Sequence, residues 1–310
     1  MSGGDLWYGR DGIRYPVNAR RATTYGWRGD GNSGGGGNGG GGGILPDWPE
    51  QDPDTVSGWN LRYSTDFQDL SGWDVKNGQT QNNDNSVNLA KNVLPGSVAD
   101  SKGLTIEGYR ESGYSQPFTS GEIYGTGQPN MILPNYFRLC VIGRTAKANG
   151  FWPAIMWMRP YSGGDGSNGE IDVMEYMGGR VENQSRMRIA VTMHNEYGSS
   201  QDSAKKPIYI DQLPNPDNLS LDDLLERPHK YVIEKTPGYI NIWIDGVQRT
   251  FSAADKGWWN RIMEAANRTW YMRITLQIGA GSSTAVVPNP DTGWNYDVMQ
   301  VASVKTWDMS

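Results

Sequence analysis

From Trp59 to the C-terminus the chain is written in short runs whose apolar residues recur at about every second position. Residues 61–67, 103–107, 136–142, 186–194, 230–234, 239–244, 273–279 and 297–307 carry this pattern, separated by clusters of Gly, Asn, Asp and Pro. Side chains alternate across a strand, so the pattern predicts half-buried strands with one face on a core. Thr236-Pro237-Gly238 and Asp245-Gly246 supply hairpin turns around 239–244. Residues 79–85 and 195–218 read as polar loops. Helical character is confined to 219–226, with Ser220 as a cap ahead of Asp222 and Asp223, and to 258–268. No period of 20 to 50 residues repeats, which removes support for solenoids and propellers. The expected fold class is all-β, a two-sheet antiparallel β-sandwich.

One run breaks the pattern. Gly169-Glu170-Ile171-Asp172-Val173-Met174-Glu175-Tyr176 places three carboxylates within six residues of an otherwise apolar strand, which folding alone does not call for. Strict alternation puts Glu170 and Asp172 on one face and Glu175 on the other. A bulge at Val173/Met174 adds one unpaired residue and turns Glu175 onto the face of its partners. Four strand steps at roughly 3.3 Å each separate the glutamates by about 13 Å at Cα, so their side chains must lean inward over the shorter Asp172. Crowded carboxylates raise the pKa of at least one of them, which keeps a proton available near neutral pH. A pair with one ionised and one protonated member suits glycoside hydrolysis with retention. The plainer reading is a solvated acidic strand face, against which stand the apolar flanks and the Gly-rich loop upstream.

The bulged spacing Glu170-x-Asp172-x-x-Glu175 resembles the motif of glycoside hydrolase family 16, which includes laminarinases, lichenases, agarases and carrageenases. Other segments are similar to that family too: 119–124 (Thr-Ser-Gly-Glu-Ile-Tyr), 150–158 (Gly-Phe-Trp-Pro-Ala-Ile-Met-Trp-Met), and Trp243-Ile244-Asp245-Gly246. Residues 59–308 carry the resemblance. It implies a jelly-roll sandwich of the concanavalin A-like type. It also implies Glu170 as nucleophile, Glu175 as acid/base and Asp172 as the group tuning both. Trp152, Trp157, His194 and Gln277 become expected substrate contacts, and for His194 a hydrogen-bonded structural role is an equal reading. The family often has Asn where this chain has Gln277, and Tyr136-Phe137-Arg138 departs from its pattern, which leaves β-glucan and galactan both open as substrate. The expected activity is that of an endo-acting retaining β-glycosidase. The alternative is a non-catalytic carbohydrate-binding protein, such as an adhesin or component of a virion tail or capsid, because jelly rolls host both kinds of function.

Composition narrows the partners. The 310 residues suit one large β domain, and 13 Trp and 16 Tyr against five Phe exceed what one core needs. Sugar faces stack on such rings, although core packing accounts for any individual Trp. A formal net charge of −6 argues against a nucleic-acid partner. No apolar run reaches the roughly 18 residues of a membrane span, and no secretory signal pattern opens the chain. Cys140 is the single cysteine and reads as a small buried hydrophobe. No cofactor or catalytic metal is expected. Some members of the family carry structural calcium, but no Asp-x-[Asp/Asn]-x-[Asp/Asn]-Gly loop occurs here.

Ahead of the strands, residues 1–32 are rich in Arg and aromatics, including Trp7, Tyr8, Arg14, Tyr15 and Trp27. They read equally as a segment docking on a larger assembly or as a tail or added strand. Residues 33–54 read as a linker, first glycine and then Pro-rich, ahead of the hydrolase-like domain at 55–310. This arrangement suggests an extracellular or virion-associated protein.

Overall fold

A computed structural model describes residues 6–8, 14–16, 48–80, 85–99, 101–162, 168–178, 187–195, 202–279, 289–290 and 295–310. The chain divides into two compact units, Met1–Gly42 and Gly43–Ser310. In the first, Leu6–Tyr8 pairs antiparallel with Arg14–Pro16. The rest of the Arg- and aromatic-rich segment, and the glycine run, lie outside the described residues.

The second unit is a sandwich of two sheets. The sheet that carries the acidic run contains Asp74–Val75 (β1), Glu122–Tyr124 (β2), Phe151–Ser162 (β3), Glu170–Tyr176 (β4), Arg188–His194 (β5), Ser203–Lys205 (β6), Ile208–Tyr209 (β7) and Thr269–Ile278 (β8). Its order is β6-β5-β4-β3-β8-β2-β1, with β7 also beside β5, and every pairing is antiparallel. The second sheet is built on Phe137–Arg144, His229–Thr236, Tyr239–Ile244, Lys102–Arg110 and the long Tyr296–Met309. One of its pairings, Ser86–Asn88 with Phe118–Ser120, is parallel.

Alternation explains the two layers. Along β8, Trp270, Met272, Ile274, Leu276 and Ile278 point into the core between the sheets, and Tyr271, Arg273, Thr275 and Gln277 take the other face. Tyr231 and Ile233 of the second sheet meet them from the opposite side, with Ile240, Ile242 and Ile244 of the neighbouring strand. Trp259, Trp270 and Trp307 are almost fully buried, so much of the tryptophan surplus is packing.

Cys140 is buried, as expected, in a second apolar cluster on the outer side of this sheet with Ile142, Val232 and Trp307, under Trp48, Val56, Trp59 and Trp243. Residues 48–54, expected as part of a linker, lie against that outer face. Asp52 bonds Arg138 and Lys230, and Trp307 Nε1 donates to the Asp54 carbonyl at 3.1 Å.

Several local expectations change. The helix expected over 258–268 is only Trp259–Ile262. Asn267 takes a left-handed φ of 56°, and the Arg268 guanidinium turns inward to the Ile262 carbonyl, so the helix cannot continue. The polar loop at 195–218 contains β6 and β7, which extend the first sheet beyond β5. Within 79–85, Gln79–Thr80 is a short strand paired with Ser86–Asn88. The Ser220-capped helix forms as expected, over Leu221–Glu226.

Candidate active site

The acidic strand β4 does bulge where the spacing predicts. Against β5, Asp172 faces Thr192 and Glu175 faces Ala190, so Val173 and Met174 together oppose the single Val191. Val173 and Met174 both enter the core, and Glu175 emerges on the face of Glu170 and Asp172.

A second bulge lies on the other side. Between β3 and β8, Ala154 faces Thr275 and Trp157 faces Arg273. Ile155 and Met156 therefore both enter the core, with Met156 at a left-handed φ of 60°. The two bulges lie side by side, so β3 and β4 keep a common register, Ala154 to Glu175 and Trp157 to Asp172. The open face of the sheet consequently carries His194 and Thr192 from β5, the three acids from β4, Trp152, Trp157 and Arg159 from β3, and Tyr271, Arg273, Thr275 and Gln277 from β8.

Gly169 starts the acidic strand for two reasons. Its φ is +105°, and a Cβ there would stand 2.6 Å from Ile262 Cγ2. A side chain at this position would displace the turn that supports the start of β4.

The three carboxyls have different neighbours. Glu170 Oε2 accepts from Arg159 Nη1 at 2.7 Å. Asp172, almost fully buried, has His194 Nε2 at 3.0 Å from Oδ2. Glu175 Oε1 accepts from the Trp152 indole Nε1 at 2.9 Å. Burial pushes Glu175 well above the ordinary carboxylate range, the charges of Asp172 and Glu170 add to this, and the Trp152 hydrogen bond opposes it. Asp172 is also pushed well up, by burial and then by the charge of Glu170. Burial drives His194 below its usual value despite the nearby glutamates, which favours a neutral imidazole.

Glu170, Asp172 and His194 each offer a ligand atom within 4.8 Å of the others, a spacing that a divalent cation accepts. Arg159, already beside Glu170, opposes a second positive charge there.

Of the expected substrate contacts, all four lie on this face. Trp152 commits its N–H to Glu175, and Trp157 packs against Arg273, whose guanidinium carbon is 3.9 Å from its ring centroid. Gln277 pairs with Trp152 across the strands and is buried. His194 faces Glu170 across the β4–β5 pairing.

Sequence reasoning missed the cationic side of the cleft. Arg273 donates to Glu122, and at 2.7 Å to the Tyr124 hydroxyl, and Asn88 holds the other Glu122 oxygen at 3.0 Å. Lys76 sits 3.9 Å over the Tyr124 ring. Tyr161, exposed, meets Tyr271 edge-on at 6.3 Å. The polar residues at every second position of β8, Arg273, Thr275 and Gln277, were the available signal. Arg159 carried a signal of its own, a charge at a position that strict alternation from Trp152 assigns to the core.

No protein-family model and no curated protein sequence matches the chain. Solved structures do. The chain is similar to the laminarinase catalytic domain from Thermotoga maritima, with TM-score 0.62 at 18% identity over 81% of this chain and 99% of that one. It is similar to the endo-β-1,3-glucanase from Pyrococcus furiosus, with TM-score 0.61 at 18% identity over 86% and 99%. SCLam, a non-specific endo-β-1,3(4)-glucanase, gives TM-score 0.60 at 21% identity over 86% and 96%. With the two-sheet architecture and the bulged acidic strand, these likenesses show that the chain has the β-sandwich fold of glycoside hydrolase family 16.

Proposed function

We propose that this chain is an endo-acting β-glycosidase that cleaves a polysaccharide, a β-glucan or a galactan, with retention of anomeric configuration. The observation that carries the reading is the three-carboxyl face produced by the bulge, in which one glutamate is paired with a cation and the other is pushed by burial well above the ordinary carboxylate range. In this reading Glu175 donates its proton to the glycosidic oxygen as the bond to the anomeric carbon breaks. Glu170 attacks that carbon and forms a glycosyl-enzyme ester. Glu175, now a carboxylate, takes a proton from water, whose oxygen attacks the same carbon and releases Glu170. Asp172, between the two, couples their charges, and His194 contacts Asp172 from the neighbouring strand. The endo-glucanase neighbours support the polysaccharide substrate.

The test is a screen of soluble β-glucans and galactans for new reducing ends, with NMR of the first-formed anomer. Cleavage with retention, abolished in Glu170→Gln, is the expected result. Inversion would remove the covalent step. Glycan binding without turnover in wild type would replace the enzyme by a carbohydrate-binding protein.

The separate unit Met1–Gly42 supports a second, smaller proposal, that it docks the hydrolase-like unit on a larger extracellular or virion assembly. Deletion of residues 1–42 should preserve hydrolysis and thermal stability and abolish incorporation into the assembly.

A further inference from the structure

The two glutamates are chemically alike, both are nearly buried, and both come from one strand, so their division of labour must come from what surrounds them. Glu170 is faced from β3 by Arg159, whose Nη1 stands 2.7 Å from Oε2, with side-chain exposures of only 15% and 9%. From β5 it is faced by His194, whose Nε2 is 3.9 Å from Oε1. Asp172 and Glu175 complete the charged groups on its own strand. Further out, Arg273 and Tyr271 of β8 act on Arg159, and Lys205 of β6 acts on His194. Burial favours neutral His194, and a guanidinium keeps its charge at any physiological pH, so among the described residues Arg159 brings a permanent positive charge into contact with Glu170. Glu175 accepts the neutral indole N–H of Trp152.

The geometry points to Arg159 as a positioning residue that anchors the Glu170 carboxyl and supplies its countercharge from the neighbouring strand. This rests on the reaction proposed above. A nucleophile must be ionised and aimed at the anomeric carbon. A buried carboxylate next to two other carboxyls meets neither condition unless a fixed cation offsets the desolvation and the like charges. Arg159 can do so because of the bulge at Ile155/Met156. Strict alternation from Trp152 would send residue 159 into the core. The left-handed Met156 instead places Trp157 and Arg159 on the open face, Trp157 in register with Asp172 and Arg159 against Glu170.

Two measurements test the role. The first is hydrolysis by Arg159→Met and Arg159→Lys over the full pH range. We expect kcat to fall about 100-fold in Arg159→Met, with KM changed less than about threefold, because the effect falls on the chemical step. The acidic limb of the pH–rate profile should move toward neutrality, and Arg159→Lys should recover about tenfold by restoring the charge without the forked geometry. A rise in KM with kcat and the acidic limb unmoved would make Arg159 a substrate contact and overturn the proposal. The second measurement needs no substrate: melting temperatures of Arg159→Met, Glu170→Gln and the double variant. Non-additive shifts, with the double variant more stable than Arg159→Met alone, are expected, since the single substitution strands a buried carboxylate. Additive shifts would overturn the pairing even if hydrolysis is observed. Coupled shifts without hydrolysis on any polysaccharide would support the pairing and discard the reaction.

Discussion

The indole Nε1 of Trp152 donates a hydrogen bond of 2.9 Å to Glu175 Oε1, so a ring on the cleft face is also the polar partner of the buried carboxyl. That bond favours the ionised form and partly offsets the upward push of burial and of the other two acids. Trp152→Phe keeps the apolar face and removes the donor. The carboxyl then holds its proton to higher pH, so the basic limb of the pH–rate profile should shift upward. Loss of orientation should lower kcat about tenfold, a fraction of the roughly 10²–10⁴-fold that one general acid contributes. An unmoved basic limb would show that Trp152 serves the substrate alone.

The paired bulges make a deletion test. Removing Met174 alone yields Glu-x-Asp-x-Glu, which keeps all three acids on one face but breaks the register between β3 and β4. Removing Met156 alone breaks it in the opposite sense. Each deletion takes a fully buried methionine from the core, which costs about 2 to 5 kcal/mol for comparable truncations. Deleting both residues restores a regular ladder across β8, β3, β4 and β5. The double deletion should melt above the value expected from adding the single losses. Strict additivity in thermal melts would mean that the bulges are independent.

Asp52 ties residues 48–54 to the outer sheet. Burial would raise its pKa, yet Lys230 and Arg138 outweigh burial and leave it below the ordinary carboxylate value. A depressed folded-state pKa contributes stability that is present above the unfolded value and is lost as pH falls through the folded one. Asp52→Asn should lower stability at neutral pH by about 2 to 3 kcal/mol and flatten the acid side of the stability–pH curve. Denaturant melts at several pH values check both, and an unchanged acid slope would contradict the assignment.

Lys235 is the opposite case. Fully buried, it donates to Asn135 Oδ1 at 2.9 Å and to the Met263 carbonyl at 2.6 Å, and burial pushes its pKa down to about 8. The unfolded chain then binds the proton more tightly, so stability should rise as pH climbs from about 8 toward the unfolded value and level off above it. Lys235→Met should remove that rise. A wild-type curve that falls through this window would show that other groups dominate it.

Much of the fold and part of the site were legible in order along the chain, because each rests on local chemistry. Alternation over 273–279 and 239–244 marks strands whatever their partners, since one face must leave water. The bulge at Val173/Met174 could be read because Glu175 is a charged residue on a face that strict alternation assigns to the core. Arg159 raises the same conflict in β3, but it does not fix where the extra residue lies. Ile, Met, Trp and Met are all acceptable in a core, so nothing local says which of them faces outward, and only pairing with β4 and β8 decides it. The same holds for Arg159 and Glu170, eleven positions apart, and for Arg273 and Glu122, much farther apart. A local reading sees a cation or an acid on a strand. Which charge meets which, and therefore which glutamate lies against a guanidinium and which against an indole N–H, is set by sheet order and register. Those are properties of several strands at once, selected by how their combined apolar faces close the core.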